Sequence, residues 1–193
     1  MKKVLFLLIL ISACKKEVHY YPSKQFFEEN NPTEIITHNL NYGEIVDSLT
    51  NQIFKNKRHF VTIENNNQIY KISPFTYTGG LIKEINSLDI DNDSVWWEYK
   101  KQPLNNLEGL IELHYGNNGK EYFLPYSYKR AFIKLILDSI SNYKKNKSKL
   151  LYIVKSYEKA KFKYKDSCNL DILIHYYKDS RHQPLPPPPS PVY

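Results

Sequence analysis

The chain has 193 residues, with 27 lysines and arginines against 20 aspartates and glutamates, and a formal charge of +7 at neutral pH. Its two cysteines exclude a scaffold held together by several disulfides. Aromatic residues make up 15% of the chain, so it can bury a large apolar core, and its length suits one domain.

The first fourteen residues have the pattern of a secretory signal. Two lysines precede an apolar run over 4–11, and two small residues then lead to Cys14. This run is too short for a stable membrane span, which needs about 20 apolar residues. We therefore interpret residues 1–13 as a signal peptide that is removed.

The tetrad Ile11-Ser12-Ala13-Cys14 resembles the lipobox of bacterial lipoproteins. In that family the cysteine thiol receives a diacylglycerol, and a signal peptidase then cuts before the modified cysteine. The resemblance covers the leader alone. It implies lipidation of Cys14, palmitate being one such acyl chain, and anchoring to a membrane of the bacterial cell envelope. The alternative is an ordinary secretory signal with an incidental cysteine.

A lipidated Cys14 leaves Cys168 without an intramolecular disulfide partner. A lone thiol outside the cytoplasm is either buried and inert or available for pairing with another chain. We favour the inert interpretation for Cys168.

The segment 14–34 shows no sustained hydrophobic period and contains two prolines. We therefore predict a flexible tether between the lipid and the folded domain. Two aromatic pairs, Tyr20-Tyr21 and Phe26-Phe27, oppose this prediction because they are suited to docking on the domain.

The next segments predict a helix and a hairpin. From Tyr42 to Phe54, apolar residues recur at three- and four-residue steps, as in an amphipathic helix. The runs 59–64 and 68–73 alternate in polarity and are joined by three asparagines, which predicts a β-hairpin.

The remaining elements follow from runs of apolar residues. Residues 74–93 are irregular, with a short helix at 81–87, and residues 127–146 form the strongest predicted helix. Residues 149–165 fit a helix or a strand at first and then alternate as a strand would. Further strands are predicted over 94–100, 110–115, 121–126 and 169–178, the last pairing with the strand before it.

The sum is an α+β fold, with antiparallel β-hairpins and two or three helices packed on one face. We assign residues 35–180 to a single domain and residues 181–193 to a proline-rich, disordered tail. Within the tail, residues 184–193 predict an extended polyproline II segment, which is either unstructured or an interaction segment.

Basic residues are concentrated between Lys129 and Lys165. Twelve lysines and arginines stand there against two carboxylates, a balance of +10. This asymmetry indicates an anionic partner: a lipid surface, an acidic protein or an anionic polysaccharide. The alternative is a solvated face that keeps a sheet edge from aggregating. Nucleic acid is disfavoured, because arginine is scarce and an envelope protein seldom meets it.

Three aspartates, Asp89, Asp91 and Asp93, stand at alternate positions before a predicted strand. Loops that bind calcium present carboxylates in this way, so Ca²⁺ is the one candidate cofactor. An EF-hand is rejected, because Ser94 stands where the loop glycine belongs. The alternative is an acidic turn.

Trp96 and Trp97 are adjacent, so in a strand they point to opposite faces. The outward one, with Tyr99, would form a platform for sugar rings or for a partner protein. The alternative is aromatic core packing.

No catalytic motif is present, and we assign no catalytic residues. The sequence favours an envelope lipoprotein that binds a protein partner. The alternatives are a glycan-binding lipoprotein that uses the Trp96/Trp97 region, and a hydrolase whose site is assembled only in the fold.

Overall fold

A computed structural model describes residues 16–35, 37, 39–79, 82–98 and 100–177. In these residues the fold is α+β, as predicted, with two sheets and four helices. The first sheet contains β1 (Glu17–Tyr21), β2 (Thr33–Glu34), β3 (His59–Asn65) and β4 (Gln68–Ile72). The second contains β5 (Ser87–Asp91), β6 (Ser94–Trp97), β7 (Lys100–Pro103), β8 (Phe132–Asp138) and β9 (Ile172–Tyr177). The helices are α1 (Lys24–Asn30), α2 (Tyr42–Ile53), α3 (Leu107–Gly116) and α4 (Tyr143–Lys159).

Both sheets are mixed, whereas the sequence predicted antiparallel pairing. The first has the order β1-β4-β3-β2, with β1 parallel to β4 and β2 parallel to β3. The second has the order β7-β6-β5-β8-β9, with β8 parallel to both of its neighbours. Parallel neighbours need a long crossover, which α4 provides between β8 and β9.

The described part of the predicted tether is folded. β1 pairs with β4 along its whole length, and Tyr21 is buried. The Tyr21 hydroxyl donates a hydrogen bond of 2.6 Å to Glu158 on α4. Phe27 on α1 packs edge-to-face against Phe60, at 5.2 Å between ring centres. The aromatic pairs therefore dock on the domain and order this segment. Residues 1–13 and Cys14 lie outside the described residues.

The predicted helix at 42–54 and the hairpin that follows it are confirmed. Asn41 and Glu44 form a reciprocal capping box at the start of α2. In the β3–β4 turn Asn66 has a φ of 53°, the left-handed conformation that asparagine tolerates.

The helix predicted over 127–146 is wrong, because most of its apolar residues form strand β8. β8 lies between β5 and β9 and is buried on both faces. The sequence of a strand that is buried on both faces is a continuous apolar run. A buried helix can have the same pattern, so the pattern alone does not distinguish the two.

Further predicted elements differ from the structure. Residues 110–115 lie in α3, and residues 121–126 form turns. Lys159 ends α4, and residues 160–165 continue as irregular chain and turns, so the alternating lysines there do not form a strand. β9 confirms the strand predicted over 169–178, but its partner is β8.

The inner face of the second sheet forms the core together with α2, α3 and α4, as the predicted packing of helices on one face requires. Its side chains cluster with Leu49, Ile111 and Val154 of the three helices. The core members from this face are Leu88, Ile90, Val95, Ile133, Leu135, Leu137, Ile172 and Ile174. Among the described residues, no helix is long and apolar enough to cross a membrane.

Replacing Leu135 by alanine should lower the free energy of unfolding by about 2–5 kcal/mol, since its fully buried side chain would leave a cavity. Leu113→Ala is the matched control, because Leu113 is 56% exposed and should cost only about 0.5 kcal/mol. Urea denaturation measures both. Equal losses would contradict the placement of β8 in the core.

Candidate functional site

The outer face of the second sheet carries a row of polar and aromatic side chains. Asp89 lies beside Lys134 of β8 on one side and Trp96 of β6 on the other. Lys134 donates to Asp89 at 2.6 Å. The Lys101 ammonium lies 5.0 Å from the centre of the Trp96 ring and 3.3 Å from Asp91. This row of side chains distinguishes the outer face from the apolar inner face.

The three aspartates predicted to bind calcium are each paired with a different lysine. Asp89 pairs with Lys134, Asp91 with Lys101, and the exposed Asp93 with Lys149 of α4. Lys149 lowers the pKa of Asp93, first through its hydrogen bond and then through its charge. No group of three metal-ligating side chains is assembled within the described part of the chain. The pairing favours the acidic-turn interpretation, and calcium binding stays a prediction.

The two tryptophans lie on opposite faces of β6, as alternation predicts. Trp96 is 40% exposed on the outer face. Trp97 is half-buried and packs edge-to-face on Phe123, at 6.4 Å between ring centres. Tyr99, the third residue of the predicted platform, lies outside the described residues.

An aromatic cleft of about 260 Å³ opens at the end of β6. Tyr122, which is 81% exposed, packs edge-to-face on Phe123 at 5.4 Å. Glu98 has a φ of 49°, the left-handed conformation that the first residue of the two-residue turn between β6 and β7 requires. We name this the aromatic cleft; it is lined mainly by Glu84, Trp96, Trp97, Glu98, Tyr122 and Phe123.

Sequence reasoning missed Tyr122 and Phe123, because it assigned residues 121–126 to a strand. In the structure, Asn117 holds this segment as turns: its side chain donates to the carbonyls of Glu121 and Pro125 and accepts from the Glu121 amide at 2.7 Å. The Gly116-Asn117-Asn118-Gly119 sequence was the available signal for a turn-rich loop.

A second cavity of about 340 Å³ lies on the outer sheet face and is named the sheet groove. Lys134, Leu173 and His175 form its floor, and Tyr77 and Ile82 line its side. Glu84 and Ser87 line both the sheet groove and the aromatic cleft. The two cavities therefore meet over the start of β5.

Eight of the twelve basic residues in the segment 129–165 fall into two groups. Lys134 and Lys149 pair with aspartates, and Lys165 donates to the carbonyls of Glu158 and Ala160 at the end of α4. The other group lies on α4 and in the following turn; its members are exposed, except for the half-buried Lys155, and they form no ion pair with the described carboxylates. We name it the lysine face; its members are Lys144, Lys155, Lys159, Lys161 and Lys163.

Two titratable groups, the buried His114 and the half-buried Cys168, are uncharged at neutral pH. Burial lowers the pKa of His114 to about 4, although the carbonyls of Asn86 and Phe132 act in the opposite direction. Burial raises the pKa of the Cys168 thiol to about 11, so the reactive thiolate is scarce. Cys168 therefore fits the inert interpretation.

Comparisons with protein-family models, with curated proteins and with solved structures found no match to this chain. No relative therefore assigns a role to the aromatic cleft, the sheet groove or the lysine face.

The stability of the protein should fall as the pH decreases from 6.5 to 4, because the unfolded state then protonates His114 and the folded state does not. The loss due to His114 is on the order of 3 kcal/mol. Burial and Lys134 also lower the pKa of His175, so His175 would add its own pH dependence. Both proteins compared therefore carry His175→Gln, and only one of them also carries His114→Gln. Denaturation at each pH measures the free energy of unfolding of the two proteins. If the two free energies change with pH in parallel, the predicted contribution of His114 is contradicted.

Proposed function

We propose that the protein is a membrane-anchored lipoprotein of the bacterial cell envelope that binds an acidic protein partner through the lysine face. The observation that carries the proposal is a set of five lysines, four of them exposed, that form no ion pair with a carboxylate among the described residues. A cluster of this size attracts a partner of opposite charge and speeds its association.

The start of the folded domain supports a position close to the membrane. The Glu17 amide donates to Asn67 at 3.1 Å, and Lys16 pairs with Glu64 at 2.6 Å. Cys14 is only three residues before Glu17, which corresponds to about 10 Å of extended chain. An acyl group on Cys14 therefore holds the β3–β4 turn at the bilayer surface.

The direction of α4 favours a protein over lipid as the partner. Lys147 acts through space on Glu64, near the anchored end, while Glu158 bonds Tyr21 at the other end of β1. From its first turn to its last, α4 thus leads away from the anchored end of the domain. Lys159 is about 22 Å along the helix from Lys144, which exceeds the Debye length of about 8 Å. Most of the lysine face is therefore beyond the charge of the lipid head groups.

Replacing Cys14 by serine should abolish metabolic labelling of the protein with palmitate, because serine lacks the thiol that lipidation requires. Cell fractionation should then find the protein released from the membrane. Cys168→Ser is the matched control and should keep both the label and the membrane location, since Cys168 is not part of the lipobox. Labelling of the Cys14→Ser protein would refute the anchor.

Reversing the charge of Lys144, Lys155 and Lys159 to glutamate should weaken capture of the partner by about tenfold or more, because each pair of opposite charges becomes repulsive. Cross-linking in envelope preparations followed by mass spectrometry measures the capture. The control carries the same charge change at Lys24, Lys55 and Lys120, which are exposed outside the lysine face.

Two results would contradict the lysine face as a protein-binding surface. One is equal capture by the reversed and control proteins. The other is lysine-dependent binding of the Cys14→Ser protein to phosphatidylglycerol vesicles with no protein captured, which would assign the surface to lipid.

A further inference from the structure

The sheet groove and the aromatic cleft form one channel that runs from the end of β9 to the end of β6. His175 lies two residues before the last residue of β9 and lines the sheet groove. Glu84 and Ser87 connect the groove to the cleft, where Trp96 and Tyr122 leave much of their ring surface exposed. An exposed aromatic surface of this kind typically marks a binding site.

We propose that this channel binds the proline-rich segment 184–193 of the same chain, with its prolines in the aromatic cleft. A polyproline II segment has no internal hydrogen bonds, so its carbonyl oxygens are free to accept from Trp and Tyr side chains. Aromatic-lined grooves bind such segments at low entropic cost, because proline already restricts the backbone. The walls of the cleft provide these rings, since Tyr122 and Trp97 both stand edge-on to Phe123.

The length of the chain between β9 and the prolines matches the channel. The strand register places Tyr177 beside Asp138, and Ser87 beside Phe132. Six residues along β8 and two strand spacings give a separation of about 22 Å. The seven residues from 178 to 184 span at most about 24 Å. Pro184 therefore reaches the start of the cleft, and the prolines that follow cover it.

A saccharide is the competing occupant, as the sequence predicted for the Trp96/Trp97 region. The segment 184–193 is favoured because it is covalently attached. Its binding is intramolecular, so it does not depend on the concentration of a free ligand.

Tryptophan fluorescence tests the proposal directly, because both tryptophans of the chain line the cleft. The Cys14→Ser protein is compared with the same protein lacking residues 184–193. The acrylamide quenching constant should rise about twofold on truncation, since the prolines no longer cover Trp96. Replacing the prolines of this segment by alanine should have the same effect. A synthetic peptide of residues 182–193 should reverse the rise saturably in the truncated protein.

Matched variants locate the binding. Tyr122→Ala in the truncated protein should abolish the response to the peptide, and its folding should be unaffected because Tyr122 is mostly exposed. Tyr152→Ala is the control on α4 and should retain the response, since Tyr152 is 39% exposed outside the channel.

Three outcomes would overturn the proposal. The first is equal quenching with and without residues 184–193, together with no response to the peptide. The second is saturable binding of an oligosaccharide by the truncated protein when the peptide fails. The third is a quenching constant that changes on hundredfold dilution, which would place the segment on a neighbouring chain. None of these outcomes depends on the lysine face or on lipidation.

Discussion

The burial of β8 on both faces is the constraint on which the second sheet depends. Its inner residues Ile133, Leu135 and Leu137 are fully buried, and its outer residues Phe132 and Ile136 are nearly so. The Tyr42 hydroxyl donates to the Leu135 carbonyl at 2.8 Å, which ties α2 to this strand. Because β8 is parallel to both neighbours, helical connections are required, and they cover the inner face. The outer face receives shorter segments, and the channel lies between them.

The lysines of the segment 129–165 are likewise divided between the outer face of the second sheet and a separate surface. Lys134 emerges from the middle of β8 and is neutralised by Asp89, so the outer face carries a fixed ion pair beside Trp96. Lys149 is turned to Asp93 at the β5–β6 turn. The outward lysines of α4 belong to a different surface. A basic segment that is continuous in sequence thus divides between lysines that pair with aspartates of the sheet and lysines on the surface for which we propose a partner.

Local signals in the sequence were enough for part of the fold. The asparagines of the β3–β4 turn and the period of α2 are properties of adjacent residues, and both elements were predicted correctly. β8 and α3 were not, because their apolar runs take their structure from distant neighbours. The site divides in the same way. Trp96 and the three aspartates were identified from local pattern, whereas Tyr122 and the lysine partners come from elsewhere in the chain.

β1 is an edge strand of the first sheet, begins three residues after Cys14 and runs parallel to β4. In the anchored form that we propose, a bound partner pulling on the body of the domain would draw β1 along its own axis. The hydrogen bonds between β1 and β4 would then bear the force together, parallel to the strands. In a hairpin pulled apart from one end, by contrast, the hydrogen bonds break one after another. The Tyr21–Glu158 bond at the far end of β1 shares that load with α4. In that proposed form, tension between the membrane and the partner would be borne by the whole β1–β4 pairing.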